Sequence, residues 1–319
     1  MTSSIAPVDW TECLSLPAGS APIGLFDSGI GGLSVFLHLA KHLPHEHYIY
    51  YADTLNVPYG SRSSQEISQW TLQAVTWLYH QGCKLIVIAC NSASAHALEL
   101  ARQYYPGLPI VGLVPALKPA VLATRSKHVA VLATRATLEG QLLNQVIEEV
   151  ARPTQTQVTK YFDAQLVPWV EAGMPRAHET AESLLAQLHE FAAQGVDHLV
   201  LGCTHYPFFR DFLETEIAKQ KLDIKVVDSG AAIAARVKQL LQSDSKHQTK
   251  PLWLPKPQSL DTIKTLLPAS TKSELTLTET AAVELPKLSF YATLYQPQLG
   301  DRVQNLVNQP VQLLNDNAL

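Results

Sequence analysis

The chain has 319 residues, which at roughly 150 residues per domain predicts two domains. Of these residues, 46% are hydrophobic and 16% are charged, a composition that supports a large buried core and excludes an intrinsically disordered chain. Its 24 basic and 28 acidic residues give a formal net charge of −4, which argues against a nucleic-acid-binding protein, because such proteins carry a basic surplus or stripe. Four cysteines in a chain of this length do not make a disulfide framework.

Short apolar runs alternate along the chain with longer stretches of helical periodicity. The runs are rich in Val, Ile and Tyr and end in Gly, Pro, Asp, Asn or Thr, a pattern typical of buried parallel strands joined by helices. The predicted strands are Ile23–Phe26, Tyr48–Ala52, Leu85–Ala89, Ile110–Val114, Val129–Ala133, Leu199–Leu201 and Lys225–Val227. The sequence therefore predicts an α/β fold with mostly parallel sheets.

Two of the intervening helices carry clear end signals. Ser63 with Glu66 three residues later forms a capping box, and the apolar face that follows ends at Gly82. The second helix is predicted over residues 179–194 and ends at Gly195.

The unit helix–Gly–strand–Cys occurs twice. Cys90 lies eight residues after Gly82, and Cys203 lies eight residues after Gly195. The triplet Asp-Ser-Gly also recurs, at residues 27–29 and 228–230. We therefore predict two pseudo-symmetric α/β domains with an active site at their interface, since ligands of open α/β sheets bind at the carboxyl ends of the strands.

The predicted domain boundaries follow the composition. Residues 1–21 form an N-terminal extension, residues 22–118 together with 229–319 form the first domain, and residues 119–228 form the second. Residues 243–259 are polar and Pro-rich, which is typical of a linker or a surface excursion. Beyond them, only the apolar Leu288–Leu294 shows a pattern.

The sequence predicts neither a membrane span nor a secretory signal. No apolar run approaches the roughly 18 residues of a span. Residues 1–22 have no Lys or Arg and no long apolar stretch. We therefore expect a soluble cytoplasmic protein with reduced cysteines and with no membrane or nucleic-acid partner.

Cys90 and Cys203 are the candidates for chemistry. A single buried cysteine fits a structural role, as Cys13 and Cys83 do, but these two lie at equivalent ends of repeated units beside hydrogen-bonding side chains. To invert a stereocentre, one group removes a proton from one face of a carbon and another returns a proton to the opposite face. A thiol, with an ordinary pKa of roughly 8.5, can act as either base or acid. The pattern therefore favours a two-thiol racemase.

Other interpretations stay open at this point. A zinc site could join Cys90, Cys203 and His205, but the close ligand spacing of zinc sites is absent, so no metal is predicted. A Cys–His hydrolase could use Cys203 and His205, which leaves Cys90 without a role. A dinucleotide-binding protein is disfavoured because the segment after Asp27 lacks the last glycine of that motif. A ligand-binding protein without enzymatic activity is also open.

The chain resembles the glutamate racemases, the cofactor-independent branch of the aspartate/glutamate racemase superfamily. Of the matching pieces, DSGxGGLSV, PYG and GCTHYP are the most specific. The pieces run in family order: IGLFDSGIGGLSV (23–35), YYADTLNVPYGSRS (50–63), VIACNSASA (87–95), VGLVPALKPA (111–120), VAVLATRATLEG (129–140), LVLGCTHYPF (199–208) and VVDSGAAIA (226–234). The chain departs from the family at Ser92, where Thr is usual, and in the long polar stretch after about residue 240.

The resemblance implies interconversion of L- and D-glutamate by two-thiol proton abstraction and reprotonation, without a cofactor, to supply D-glutamate for peptidoglycan. The implied catalytic residues are Cys90, Cys203, Asp27, His205 and Glu171. The implied substrate-binding residues are Asp27, Ser28, Tyr59, Gly60, Asn91, Ser92, Thr204 and His205.

The resemblance also implies partners and leaves alternatives. Family members often form homodimers, and those with an N-terminal extension respond to a cell-wall precursor. Within the superfamily, a racemase of aspartate or another small amino acid and a Cys-dependent decarboxylase or hydrolase are the alternatives.

Overall fold

The computed structural model describes residues 21–245, 273–277, 288–307 and 311–315. Most of the predicted N-terminal extension and of the predicted linker lies outside the described residues.

Parallel β-sheets dominate the described structure. The strands are β1 (Ile23–Asp27), β2 (Tyr48–Ala52), β3 (Leu85–Ile88), β4 (Ile110–Gly112), β5 (His128–Ala133), β6 (Gln157–Tyr161), β7 (His198–Gly202), β8 (Lys225–Val227), β9 (Ser273–Leu277), β10 (Leu288–Ala292) and β11 (Val311–Asn315). One sheet has the order β10–β2–β1–β3–β4 and the other β6–β5–β7–β8. All neighbours in these two sheets are parallel, whereas β9 and β11 form a separate antiparallel pair.

Helices connect the strands. They are α1 (Leu33–His42), α2 (Ser64–His80), α3 (Asn91–Tyr104), α4 (Leu117–Ala123), α5 (Arg135–Glu139), α6 (Gln141–Val146), α7 (Leu166–Glu171), α8 (Glu179–Ala193), α9 (Arg210–Gln220), α10 (Gly230–Ser245) and α11 (Leu299–Val307). None of the helices in the described ranges is both long and apolar enough to cross a membrane.

Both faces of each sheet are buried, as the unbroken apolar runs of the strands predict. In the first sheet, Leu25 and Phe26 point into different apolar clusters, because successive side chains of a strand alternate between faces. One of these clusters also contains Leu199 and Leu201 of the second sheet. A single core therefore connects the two sheets.

The predicted elements are confirmed, whereas β6, β9, β10 and β11 were not predicted as strands. All seven predicted strands are present. Helix α2 has the capping box, with mutual hydrogen bonds between Ser63 and Glu66, and it ends where Gly82 takes a left-handed φ of 76°. Strand β6 escaped prediction because it is an edge strand with exposed and half-buried side chains, so its sequence QVTKY has no apolar run.

The two sheets repeat one strand order, which confirms the two pseudo-symmetric α/β halves. In β2–β1–β3–β4 and in β6–β5–β7–β8 the chain starts on an inner strand, moves to one side and then crosses to the other. The third strand of each half precedes Cys90 or Cys203. The boundaries at residues 118/119 and 228/229 stay predictions.

The recurrence of Asp-Ser-Gly is not part of this repeat. The first copy follows β1, the first strand of its half, whereas the second follows β8, the fourth strand. Both copies make the same local turn, since Asp27 accepts a hydrogen bond from the Gly29 N–H and Asp228 accepts one from the Gly230 N–H. The triplet recurs because it suits a short turn before a helix.

Strand β10 connects the tail of the chain to the first sheet, where it pairs with β2. Phe290 is fully buried and stacks on Tyr50 with a centroid separation of 4.9 Å.

We expect Phe290→Ala to lower the free energy of unfolding by about 3–5 kcal/mol, the range for removing a buried aromatic ring. Urea denaturation measures the loss. Leu294→Ala is the control, because Leu294 is 41% exposed; similar small losses for both variants would contradict a core role for β10.

Candidate active site

The candidate residues lie at the carboxyl ends of the parallel strands. Asp27 ends β1, Cys90 follows β3 and Cys203 follows β7. In each sheet, one connection leads from the inner strand to its neighbour on one side, and the next connection leads to the neighbour on the other side. This change in the order of the strands opens a crevice at the carboxyl edge. The two crevices face each other, because residues from both halves line one cavity.

Cys90 and Cys203 share this cavity, whose volume is about 340 Å³. Their side chains are nearly buried, at 5% and 7% exposure. The cavity is also lined by most of the predicted substrate-binding residues: Ser28, Tyr59, Gly60, Asn91, Ser92, Thr204 and His205. One thiol from each half therefore reaches the same enclosed space.

Cys90 caps the first turn of α3. Its sulfur accepts a hydrogen bond from the Ala93 N–H at 3.5 Å and donates one to Ser28 Oγ at 3.4 Å. Burial raises the pKa of Cys90 to about 12, and the negative charges of Asp27 and Cys203 act in the same direction. Cys90 is therefore a neutral thiol near pH 7.

Cys203 belongs to a chain of polar contacts. His205 Nδ1 lies 3.9 Å from Cys203 Sγ, and His205 Nε2 lies 3.3 Å from Glu171 Oε1. Burial alone would lower the pKa of His205, but its contacts with Cys203 and Glu171 together raise it to about 10. His205 is therefore an imidazolium near pH 7, and its charge stabilises negative charge on the Cys203 sulfur.

Asp27 connects the two halves beneath the cavity. Its carboxylate accepts hydrogen bonds from the Gly29 N–H at 3.0 Å and from Thr204 Oγ1 at 3.2 Å. Burial raises the pKa of Asp27, against the opposing effects of the His205 charge and these hydrogen bonds. Gly31 packs directly against the His205 ring, where a Cβ would collide with Nδ1. The halves are thus in close contact beside the thiols.

Polar groups around the cavity differ in whether they have partners. Asn91 Nδ2 is buried with no hydrogen-bond partner in the described part of the chain, so it is available to a ligand. Ser92 Oγ lies 2.8 Å from Thr134 Oγ1. The Tyr59 hydroxyl already donates to Asp53 at 2.6 Å, so a contact between Tyr59 and substrate has to come from another part of that residue.

The sequence analysis missed Thr134. This residue lines the cavity and caps α5. It follows β5 as Asp27 ends β1, so the two occupy corresponding places in the repeat. The strand repeat in the sequence is the signal that points to Thr134, because this residue directly follows β5. Gly60 permits the close approach of the first half to Thr134, because a Cβ on Gly60 would lie 2.9 Å from Thr134 Cβ.

A metal site is not apparent in the described ranges, where no cluster of three or more His, Cys, Asp or Glu side chains is arranged to hold an ion. The nearest group is Cys203–His205–Glu171, which is connected by hydrogen bonds.

The profile of the Asp/Glu/hydantoin racemase family matches residues 34–237 of the chain. The chain belongs to that family. The glutamate racemase of Deinococcus radiodurans is 47% identical over 225 residues, which are 70% of this chain and 76% of the relative. The glutamate racemase of Stutzerimonas stutzeri is 40% identical over 222 residues, 70% of this chain and 82% of the relative.

Solved racemases of the family have the same fold. The glutamate racemase of Francisella tularensis, in complex with D-glutamate, superposes with a TM-score of 0.69 at 26% identity, covering 94% of this chain and 98% of that one. The Escherichia coli glutamate racemase, in complex with L-glutamate and the activator UDP-MurNAc-ala, gives a TM-score of 0.66 at 29% identity, covering 90% and 94%.

The contact between His205 and Glu171 can be tested by titration. We expect Glu171→Gln to lower the pKa of His205 from about 10, because burial, which lowers this pKa, is then opposed by the contact with Cys203 without the Glu171 carboxylate. The raised pKa of His205 adds to the free energy of unfolding of the wild type. This contribution is fully present below a pH of roughly 6.5, the ordinary histidine pKa, and is lost as the pH rises through about 10. In the variant this contribution should be smaller and its loss complete at a lower pH, because only the folded-state pKa of His205 has fallen.

Histidine Cε1 shifts in NMR titrations, assigned with His205→Asn, measure this pKa. The matched control is Glu190→Gln, because Glu190 is an exposed helical residue that bonds Gln194. An unchanged His205 titration in Glu171→Gln would contradict the contact.

Proposed function

We propose that this chain is a glutamate racemase that transfers protons directly between Cα of glutamate and the thiols of Cys90 and Cys203, without a cofactor. The observation that carries the proposal is the single cavity lined by one thiol from each half. The glutamate racemases at 40% and 47% identity support the choice of substrate.

The chemistry exchanges one proton for another. One thiolate takes the proton from Cα and becomes a thiol, and the electron pair of the broken C–H bond is delocalised into the adjacent carboxylate. The thiol on the opposite face then gives its proton to Cα and becomes a thiolate. The imidazolium of His205 lies beside the Cys203 sulfur, and burial raises the pKa of the Cys90 thiol. Each thiol therefore acts as the base for one enantiomer and as the acid for the other, and the roles exchange with the direction of the reaction.

The remaining groups hold the substrate and its developing charge. Among the described residues that line the cavity, none is Lys or Arg, so the carboxylates of glutamate are held by neutral donors and by His205. The first backbone N–H groups of α3 and the free Asn91 amide are such donors. Donors fixed in place before the reaction stabilise charge that develops at the carboxylate. Asp27 and Glu171 assist through Thr204 and His205.

The wider role follows from the family resemblance. We propose that the D-glutamate supplies peptidoglycan, that the protein is cytoplasmic, that it forms a homodimer and that a cell-wall precursor regulates it. The activator bound to the E. coli relative supports the last point.

Isotope incorporation tests the reaction. In heavy water, purified protein given L-glutamate should produce D-glutamate with deuterium at Cα, because the donated proton comes from a thiol that exchanges with solvent. Mass spectrometry after chiral separation measures the label. Unlabelled D-glutamate, or a strict requirement for added pyridoxal phosphate or metal, would contradict direct proton transfer. Faster turnover of L-aspartate than of L-glutamate would contradict the substrate.

Replacement of each thiol tests the residue assignment. Cys90→Ser and Cys203→Ser should each reduce racemisation by about 10²–10⁴-fold, the usual contribution of a positioned acid or base. Cys83→Ala is the matched control, because Cys83 is fully buried and does not line the cavity. Circular dichroism checks that all three variants fold. Full activity in either active-site variant would exclude that thiol from the reaction.

A further inference from the structure

Helix α11, in the tail of the chain, is fixed to the first half. Leu299, Val303 and Leu306 are buried at successive turns of one face, and the helix packs on α1. The segment before it is tied to the end of β2, since Thr293 Oγ1 donates to Asp53 Oδ1 at 2.9 Å. Side chains on the other faces of α11 therefore have defined positions relative to the first sheet.

Arg302 extends from α11 to the second half. Its Nη1 lies 3.8 Å from Glu171 Oε2, and the other oxygen of Glu171 faces His205 Nε2 at 3.3 Å. Glu171 ends α7, which belongs to the second half. The carboxylate is thus held between a guanidinium on one side and an imidazole on the other.

The open space around Glu171 makes the contact with Arg302 important for the orientation of the Glu171 carboxylate. Glu171 and Arg302 both line two adjoining clefts that are open to solvent and that neither thiol lines. A glutamate side chain next to so much open space has other rotamers available to it. Contact with Arg302 at Oε2 restricts the carboxylate to the orientation in which Oε1 meets His205.

We propose that Arg302 is a positioning residue for the Cys203 side of the active site: it holds the Glu171 carboxylate against His205, and His205 against the Cys203 thiol. The proposal rests on the proposed racemase function. In the described part of the chain, the Cys90 sulfur instead bonds Ser28 and the Ala93 N–H, which lie outside α11. Loss of Arg302 should therefore impair proton transfer at one thiol and spare the other.

This asymmetry is visible in isotope effects and not in catalytic efficiency. The two enantiomers have equal free energy in water, so kcat/KM must be the same in both directions for every variant. If transfer at Cys203 alone becomes slower, the enantiomer whose Cα proton goes to Cys203 shows a larger primary deuterium isotope effect on kcat/KM. The other enantiomer shows a smaller one, because its C–H cleavage at Cys90 is no longer limiting.

We expect Arg302→Gln to lower kcat/KM by about two- to fivefold, the range for a partly exposed ion pair, and to make the isotope effects of the two enantiomers diverge. Arg302→Lys should restore part of the loss. Arg152→Gln is the matched control, because it removes an exposed ion pair with Glu148 outside the active-site cavity. Isotope effects that stay equal, or an equal loss of kcat/KM in Arg152→Gln, would overturn the proposal.

A second measurement does not depend on activity. In the ligand-free protein, Arg302→Gln should lower the pKa of His205 by NMR titration, since Glu171 is released from the imidazole. If Arg302 acted only as a nearby positive charge, its removal would raise that pKa, so a rise or no change overturns the proposal. Should the wild type fail to racemise glutamate, the proposed function fails and this titration still tests the hold of Arg302 on Glu171.

Discussion

A negative charge on one of two buried thiols opposes a negative charge on the other. Burial already raises the pKa of Cys90, and the charge of Cys203 raises it further. The pair therefore favours one thiol and one thiolate over two thiolates, which is the state that a two-base racemase needs before substrate binds. The surroundings of the two thiols differ: the buried Ser28 hydroxyl adjoins Cys90, whereas the imidazolium of His205 adjoins Cys203.

The fold provides this arrangement by repeating a strand order. In both halves a cysteine follows the third strand, beside the crevice that the strand crossing creates. One apolar cluster contains residues of both sheets, and the contacts of Asp27 with Thr204 and of Gly31 with His205 hold the two edges together. A cavity with walls fixed on both sides restricts the substrate to the geometry for reaction, which lowers the entropic part of the barrier.

The repeat is one of topology and not of chemistry. After β3 the thiol caps a long helix, α3, and is followed by Asn91 and Ser92. After β7 the corresponding thiol precedes Thr204 and His205 and a short 3₁₀ turn. The two sides of the cavity therefore offer different polar neighbours, although the strands that carry them have the same order.

The sequence by itself determined what depends on neighbouring residues. Apolar runs predicted seven of the eight strands from β1 to β8, all except β6. The Ser63 and Glu66 pair predicted the start of α2. The spacing of Cys90 and Cys203 predicted equivalent places in two halves. These signals survive in the fold because strand burial and helix capping involve residues close in the chain.

Only the tertiary structure decided which distant residues meet. Strand β6 lacks an apolar run, and β10 finds its place through pairing with β2, more than 200 residues away. Thr134 joins the cavity, Tyr59 turns its hydroxyl to Asp53, and Arg302 reaches Glu171 from the opposite half. Such contacts, and the burial that raises the pKa of Cys90, arise from tertiary packing, for which no local pattern in the sequence exists.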